Sequence, residues 1–233
     1  MKNIAILGAS GGCLDILRLI NRINEKKKSY KFLGFFEDMP NKIPSAYKKY
    51  YIGKFSQAKN IKNTYFSTAI GNEKNFFYRK QIIDKLNIDK SKFITLIDPS
   101  VILDASTKIG KGVVIFNSVY LSRNVRIGDF CVILPKTSIL HDTKIGRHSI
   151  INASVTISGN TRIGKNCYIG LGTNVRDHIK TVENIVIGMG SNVISNLEKK
   201  DSIYFGNPCK FAKKLIRKYW YKKLPAFKTW VLK

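Results

Sequence analysis

Acidic residues are scarce in this chain of 233: 15 Asp and Glu stand against 41 Lys and Arg, for a formal net charge of +26. Part of that imbalance follows a general richness in Lys, Asn and Ile. The deficit still argues against cationic partners and for anionic ones: phosphorylated ligands, nucleic acid or a membrane surface. Cysteine is sparse too. Cys13, Cys131, Cys167 and Cys209 are scattered without CxxC spacing, so they read as small core residues in a reduced, cytosolic setting. No run approaches the length of a transmembrane helix. The first residues enter a strand-and-glycine motif instead of a long apolar stretch, so no signal peptide is expected. Three histidines, without acids at matching spacing, give no basis for a zinc site.

What is abundant is periodic. An aliphatic residue recurs every six positions from Leu103 through Ile109, Ile115, Leu121 and onward to Val193, broken only at Thr181. Two residues before each member stands a small or β-branched residue, among them Val113, Cys131, Thr143, Val155 and Cys167. Six is a multiple of two, so each repeat reads as a short strand and a corner with two side chains inward. Ile-Gly pairs at 109, 127, 145 and 163 add a period of eighteen. Three repeats then complete one coil of a triangular β-helix of about five coils, stacked about 4.8 Å apart. The corner glycines either take positive φ or lack room for a Cβ.

Ahead of the repeats, residues 2–7 form an apolar strand that ends in Gly8-Ala9-Ser10-Gly11-Gly12, followed by apolar residues at helical spacing from Leu14 to Ile23. That is the opening of a doubly wound α/β unit. Strands over 32–36 and 65–70, a helix from about Lys74 to Leu86, and a link at 93–97 complete it. The expected division is an α/β domain over 1–95, a β-helix over 96–205, and a basic aromatic tail over 206–233. From Lys210 the tail holds nine basic residues, no acid and six aromatics.

A β-helix has a closed interior, so chemistry belongs on its outside. His141 follows the inward Ile139 by two places, at a corner, and Gly159 stands at the same corner one coil up. A base would then lie about one strand spacing from a bare backbone N–H, which suits a nucleophile and a developing oxyanion. Asp142 is placed to fix the imidazole tautomer. Taken alone, a corner histidine is more often an ordinary surface residue. His148 and His178 have no such context. The Gly8–Gly12 turn suits a phosphate at a helix start, with tight βα packing as the alternative. Glu37 and Asp38, after the second strand, suit a ribose or base edge.

These segments resemble the left-handed β-helix (hexapeptide-repeat) acyltransferases. From Met1 to about Lys210 the chain is similar to the nucleotide-sugar acetyltransferases of bacterial glycan assembly, the bacillosamine-type N-acetyltransferases and their sialic acid O-acetyltransferase relatives. The likeness is carried by Ile6–Gly12, Phe32–Asp38, Ala69-Ile70-Gly71-Asn72 with Arg79, Leu96–Ser100, His141-Asp142-Thr143-Lys144-Ile145-Gly146, Gly159–Gly170 and Gly206-Asn207-Pro208-Cys209-Lys210. The resemblance implies a Rossmann-like α/β domain, a left-handed β-helix and a short helical tail. It implies His141 as catalytic base with Asp142 beside it, and Gly159 and Leu171 on the oxyanion and acetyl-CoA side. Gly8, Ser10, Gly11, Glu37 and Asp38 would hold the nucleotide-linked amino sugar. It further implies acetyl-CoA as co-substrate, no metal, no nucleic acid, and a cytoplasmic homotrimer with active sites at subunit interfaces. The chain departs from the family where Gly12, Asp98 and Ile150 replace customary histidines. O-acetylation of a sugar hydroxyl is the first alternative, and a non-catalytic basic β-helix on membrane or nucleic acid the second. The tail suits either an anionic membrane face or a helix packed on the trimer.

Overall fold

The computed structural model describes residues 1–9, 11–43, 45–71 and 75–215, which form two compact units, Met1–Leu96 and Ile97–Leu215. In the first, β1 (Lys2–Leu7), β2 (Tyr30–Phe36), β3 (Tyr51–Gly53) and β4 (Thr64–Thr68) form one parallel sheet in the order β3-β2-β1-β4. Helix α1 (Gly11–Lys26) buries Cys13, Ile16, Leu19 and Ile20. That face follows from the apolar spacing in the sequence. The expected helix near 74–86 is a short 3₁₀ turn, Phe76–Tyr78, running into α2 (Arg79–Lys85). Because β2 and β3 lie on one side of β1 and β4 on the other, the chain reverses direction between β1 and β4. The carboxyl ends of that strand pair are the topological switch point, where open α/β sheets bind ligands.

The second unit is a parallel β-helix. Successive short strands pair in register eighteen residues apart, as in Val132 with Val114 and Ile150, or Ser138 with Tyr120 and Thr156. The inward series is fully enclosed: Ile133, Ile139, Ile151, Ile157 and Ile169 show no exposure. Each such isoleucine contributes roughly 1.5–3 kcal/mol of burial. The companion inward position takes small hydroxyls for a reason the period does not reveal. Thr137, Thr143, Ser149 and Thr161 each donate to a corner carbonyl fifteen residues on, at 2.7–3.2 Å. Cys131 and Cys167 occupy the same position as enclosed thiols, and burial pushes Cys167 up to about 12.

The corners take two forms. After Ile109, Ile127, Ile145 and Ile163 the glycines answer the lack of room: a Cβ on Gly146 would lie 2.5 Å from the Gly164 carbonyl carbon. Positive φ falls elsewhere, on a six-residue series that includes Asn124, Phe130, Asp142, His148 and Asn160. Thr181, the one break in the aliphatic series, accepts the Gly164 N–H at 3.0 Å through its hydroxyl. A side-chain oxygen there takes the place of the backbone carbonyl that serves Gly146 one coil earlier, from Ile163.

Past the last coil, Ser202–Phe205 continues one sheet of the β-helix and pairs antiparallel with Lys210–Lys214. The first residues of the expected helical tail are thus a strand; residues 216–233 lie outside the described residues. Among the described residues, no helix is long and apolar enough to cross a membrane.

Candidate active site

His141 stands at a corner, directly after the strand Ser138–Ile139 and Leu140. Its Nδ1 lies 3.1 Å from Asp142 Oδ2, and its side chain is 43% exposed. Asp142 has φ 60°, a conformation in which aspartate is among the better-tolerated residues. Its other oxygen accepts from the Asn124 side-chain amide at 3.0 Å, and Arg123 lies 3.3 Å from Oδ2. The Asn124 amide first, then His141, hold the Asp142 carboxyl below the ordinary aspartate range. An ionised Asp142 favours the tautomer with the proton on Nδ1, which leaves the lone pair on Nε2.

One coil above, Gly159 lies against the imidazole: a Cβ there would come within 2.7 Å of Nε2. The Asn160 N–H donates to the His141 carbonyl at 2.9 Å, which ties the two corners together. Among the described residues, the Gly159 N–H has no acceptor. A fixed imidazole and an unused amide thus share one corner. Leu171 does not. It is exposed on a different edge of the coil, where its carbonyl accepts from Gly190 at 2.8 Å. His178 is on the His141 edge two coils up, 3.7 Å from Asp177, while His148 is buried and stacked on Phe130 at 5.0 Å.

In the first unit, Gly8, Ala9 and Glu37 gather at the carboxyl edge of the sheet. Gly8 has φ 103° and donates to Phe36. Glu37 is buried, and its two oxygens accept from the Ala9 and Met39 amides at 2.9 and 3.1 Å. Asp38 accepts from the Phe55 amide at 2.9 Å. Both acids are therefore first of all turn-holding groups. Gly11 opens α1; Ser10 lies outside the described residues.

Arg79, Asn124 and Arg123 were given no role in a site by sequence reasoning, although Arg79 stands among the residues that carry the family likeness. Arg79 is enclosed at the same edge, donating to the Ile70 carbonyl at 2.7 Å and the Thr68 hydroxyl at 2.9 Å. The signal was a cation, Arg79, directly after the apolar run Phe76-Phe77-Tyr78. Asn124 and Arg123 were findable by counting eighteen back from Asp142 and His141. At the departures from the family, a Cβ on Gly12 would meet open space, Asp98 accepts from Ser100 at 2.9 Å, and Ile150 is buried between Val132 and Tyr168. Among the described residues, no group of three His, Cys, Asp or Glu is placed to hold a metal ion.

A small parallel α/β unit joined to a parallel β-helix, with an acid-fixed histidine on a corner, defines the chain as a two-domain hexapeptide-repeat protein. Residues 3–86 match the family described as PglD N-terminal domain, and residues 97–207 that described as GMPPB C-terminal domain. The chain is 34% identical over 119 residues to the UDP-N-acetylbacillosamine N-acetyltransferase of Bacillus subtilis (strain 168). That stretch covers 49% of this chain and about half of the relative, 51%. The acetyltransferase domain of PglB from Neisseria gonorrhoeae FA1090 is similar in fold, with a TM-score of 0.77 and 22% identity over 91% of this chain and 100% of that one. PerB from Caulobacter crescentus, solved with CoA and GDP-perosamine, gives 0.76 and 17% over 91% and 98%.

Proposed function

We propose that this protein is an N-acetyltransferase that moves acetyl from acetyl-CoA to the 4-amino group of a nucleotide-linked 4-amino-4,6-dideoxy sugar. The observation that carries the reading is the His141 imidazole, oriented by Asp142 through Nδ1 and lying against Gly159. Support comes from two of the similar proteins: one is named a UDP-N-acetylbacillosamine N-acetyltransferase, and PerB is solved with CoA and GDP-perosamine.

The neutral amine attacks the thioester carbonyl, forming the C–N bond and a tetrahedral oxyanion. The Gly159 N–H is the candidate donor to that oxyanion. His141 Nε2 takes the proton from the nitrogen, a role worth about 10²–10⁴-fold. Collapse breaks the C–S bond, and the imidazolium returns the proton to the departing thiolate. No acyl-enzyme forms. Asp142 steadies the imidazolium while it is charged.

The switch-point edge of the first unit is the proposed nucleotide-sugar site. There Gly8 and Gly11 are the candidates for the phosphates, and Glu37 and Asp38 offer their remaining lone pairs to sugar or base. Leu171 stands on another edge of the same chain, which supports a homotrimer where a neighbour's Leu171 edge meets the His141 corner around acetyl-CoA. Both substrates are activated metabolites of the cytoplasm, where this reading places the enzyme.

The test is thiol release from acetyl-CoA over a panel of UDP-, GDP- and dTDP-linked 4-amino-4,6-dideoxy sugars, with sialic acid as the hydroxyl control. Release dependent on one amino sugar is expected. Activity on the hydroxyl control alone would replace N- by O-acetylation, and silence throughout would overturn the enzyme reading.

A further inference from the structure

The outward residues of the β-helix strands sort by face. One column reads Ile102, Tyr120, Ser138, Thr156, Asn174, Asn192, and another Val114, Val132, Ile150, Tyr168, Val186, Ile203. Neither holds a charge. The remaining column reads Lys108, Arg126, Lys144, Arg162, Lys180, each paired in register with the next. All five are exposed, and none is ion-paired among the described residues. General lysine richness does not explain this sorting. Like charges side by side destabilise a sheet, yet this ladder places five cations over about 19 Å at the strand spacing of about 4.8 Å. The following corner mixes Lys111, Arg147 and Lys165 with Asp129 and Glu183, so the field of one sign belongs to the ladder.

We infer that this basic face docks on an anionic lipid bilayer. The partner must supply many negative charges in one plane, because a straight column of long, flexible cations reaches a planar array of headgroups all at once. A curved duplex backbone would meet fewer of the five together. The column holds no aromatic ring on which bases could stack. It also holds no apolar side chain to insert, so attachment is electrostatic and reversible, and it weakens with salt.

The test is co-sedimentation of the full chain with phosphatidylcholine vesicles containing none or 30% phosphatidylglycerol, at low and high salt. A face variant, Lys108→Gln with Lys144→Gln and Lys180→Gln, is compared with a control, Lys26→Gln with Lys27→Gln and Lys28→Gln. The control removes the same charge from an exposed run at the end of α1. Circular dichroism checks folding, and Arg126→Gln with Arg162→Gln is a second face variant. Binding only to the anionic vesicles is expected, lowered on the order of a hundredfold by the three lysine changes in the face. The control should fall within about fivefold. Equal losses from face and control would overturn the inference, as would no binding or tighter binding to RNA. Displacement by free coenzyme A would reassign the ladder to substrate phosphates and overturn it equally.

Discussion

At Gly159 the space a methyl group needs is already occupied by the His141 ring, while the backbone there is outside the left-handed region. Alanine can therefore adopt the local conformation, and the conflict is with the imidazole alone. Gly159→Ala should push the ring from its place beside Asp142 and lower kcat about 10²-fold, the scale of loss from a 1 Å misplacement. The melting temperature should stay within a few degrees. Steady-state kinetics with a melting curve checks both; unchanged kcat would mean that the ring position does not matter to turnover. Much of this corner was legible from residue spacing, since eighteen residues separate His141 and Gly159. The Asn124 amide on Asp142 was overlooked because an asparagine at a positive-φ corner has a sufficient backbone reason to be there. Glu37 and Asp38 illustrate the opposite limit. Their place after β2 suggested a ligand, but which backbone amides a carboxylate accepts from depends on how the turns close.

Among the elements, the β-helix strands were fixed by a period too regular for chance, whereas the corner conformations were not. Enclosure excludes a Cβ at Gly146 with no need for positive φ, and positive φ at Asp142 or His148 needs no glycine. The two kinds of position should therefore respond oppositely. Gly146→Ala, driven against the Gly164 backbone, should cost about 1–3 kcal/mol. Gly172→Asn, at φ 64° with open space around it, should stay within about 0.5 kcal/mol. Urea denaturation midpoints check the pair, and equal costs would refute the distinction. In the first unit β3 was missed. It is three residues long, Tyr51–Gly53, and follows a 3₁₀ stretch, so it offers too few alternating positions to reveal a strand.

Across the whole molecule, the change from a doubly wound pattern to a six-residue pattern was visible in the sequence, and the structure divides the chain at Leu96 and Ile97. Sheet order was not visible: that β4 joins the free edge of β1, creating the switch point, is a long-range pairing with no local signal. The basic ladder was hidden for a related reason. Its members are eighteen apart in a chain already crowded with lysine, and only the coil brings them into line. The sequence shows the charge as one large number, and the coil lines up five of its 41 cations on a single face.

The central claim is that His141 is the base for acetyl transfer, and the direct measurement is turnover by His141→Ala alongside calorimetric affinity for coenzyme A. The expected result is a fall in kcat of about 10²–10⁴-fold with coenzyme affinity within a few-fold. Turnover near the native rate, or a loss of binding as large as the loss of rate, would contradict it.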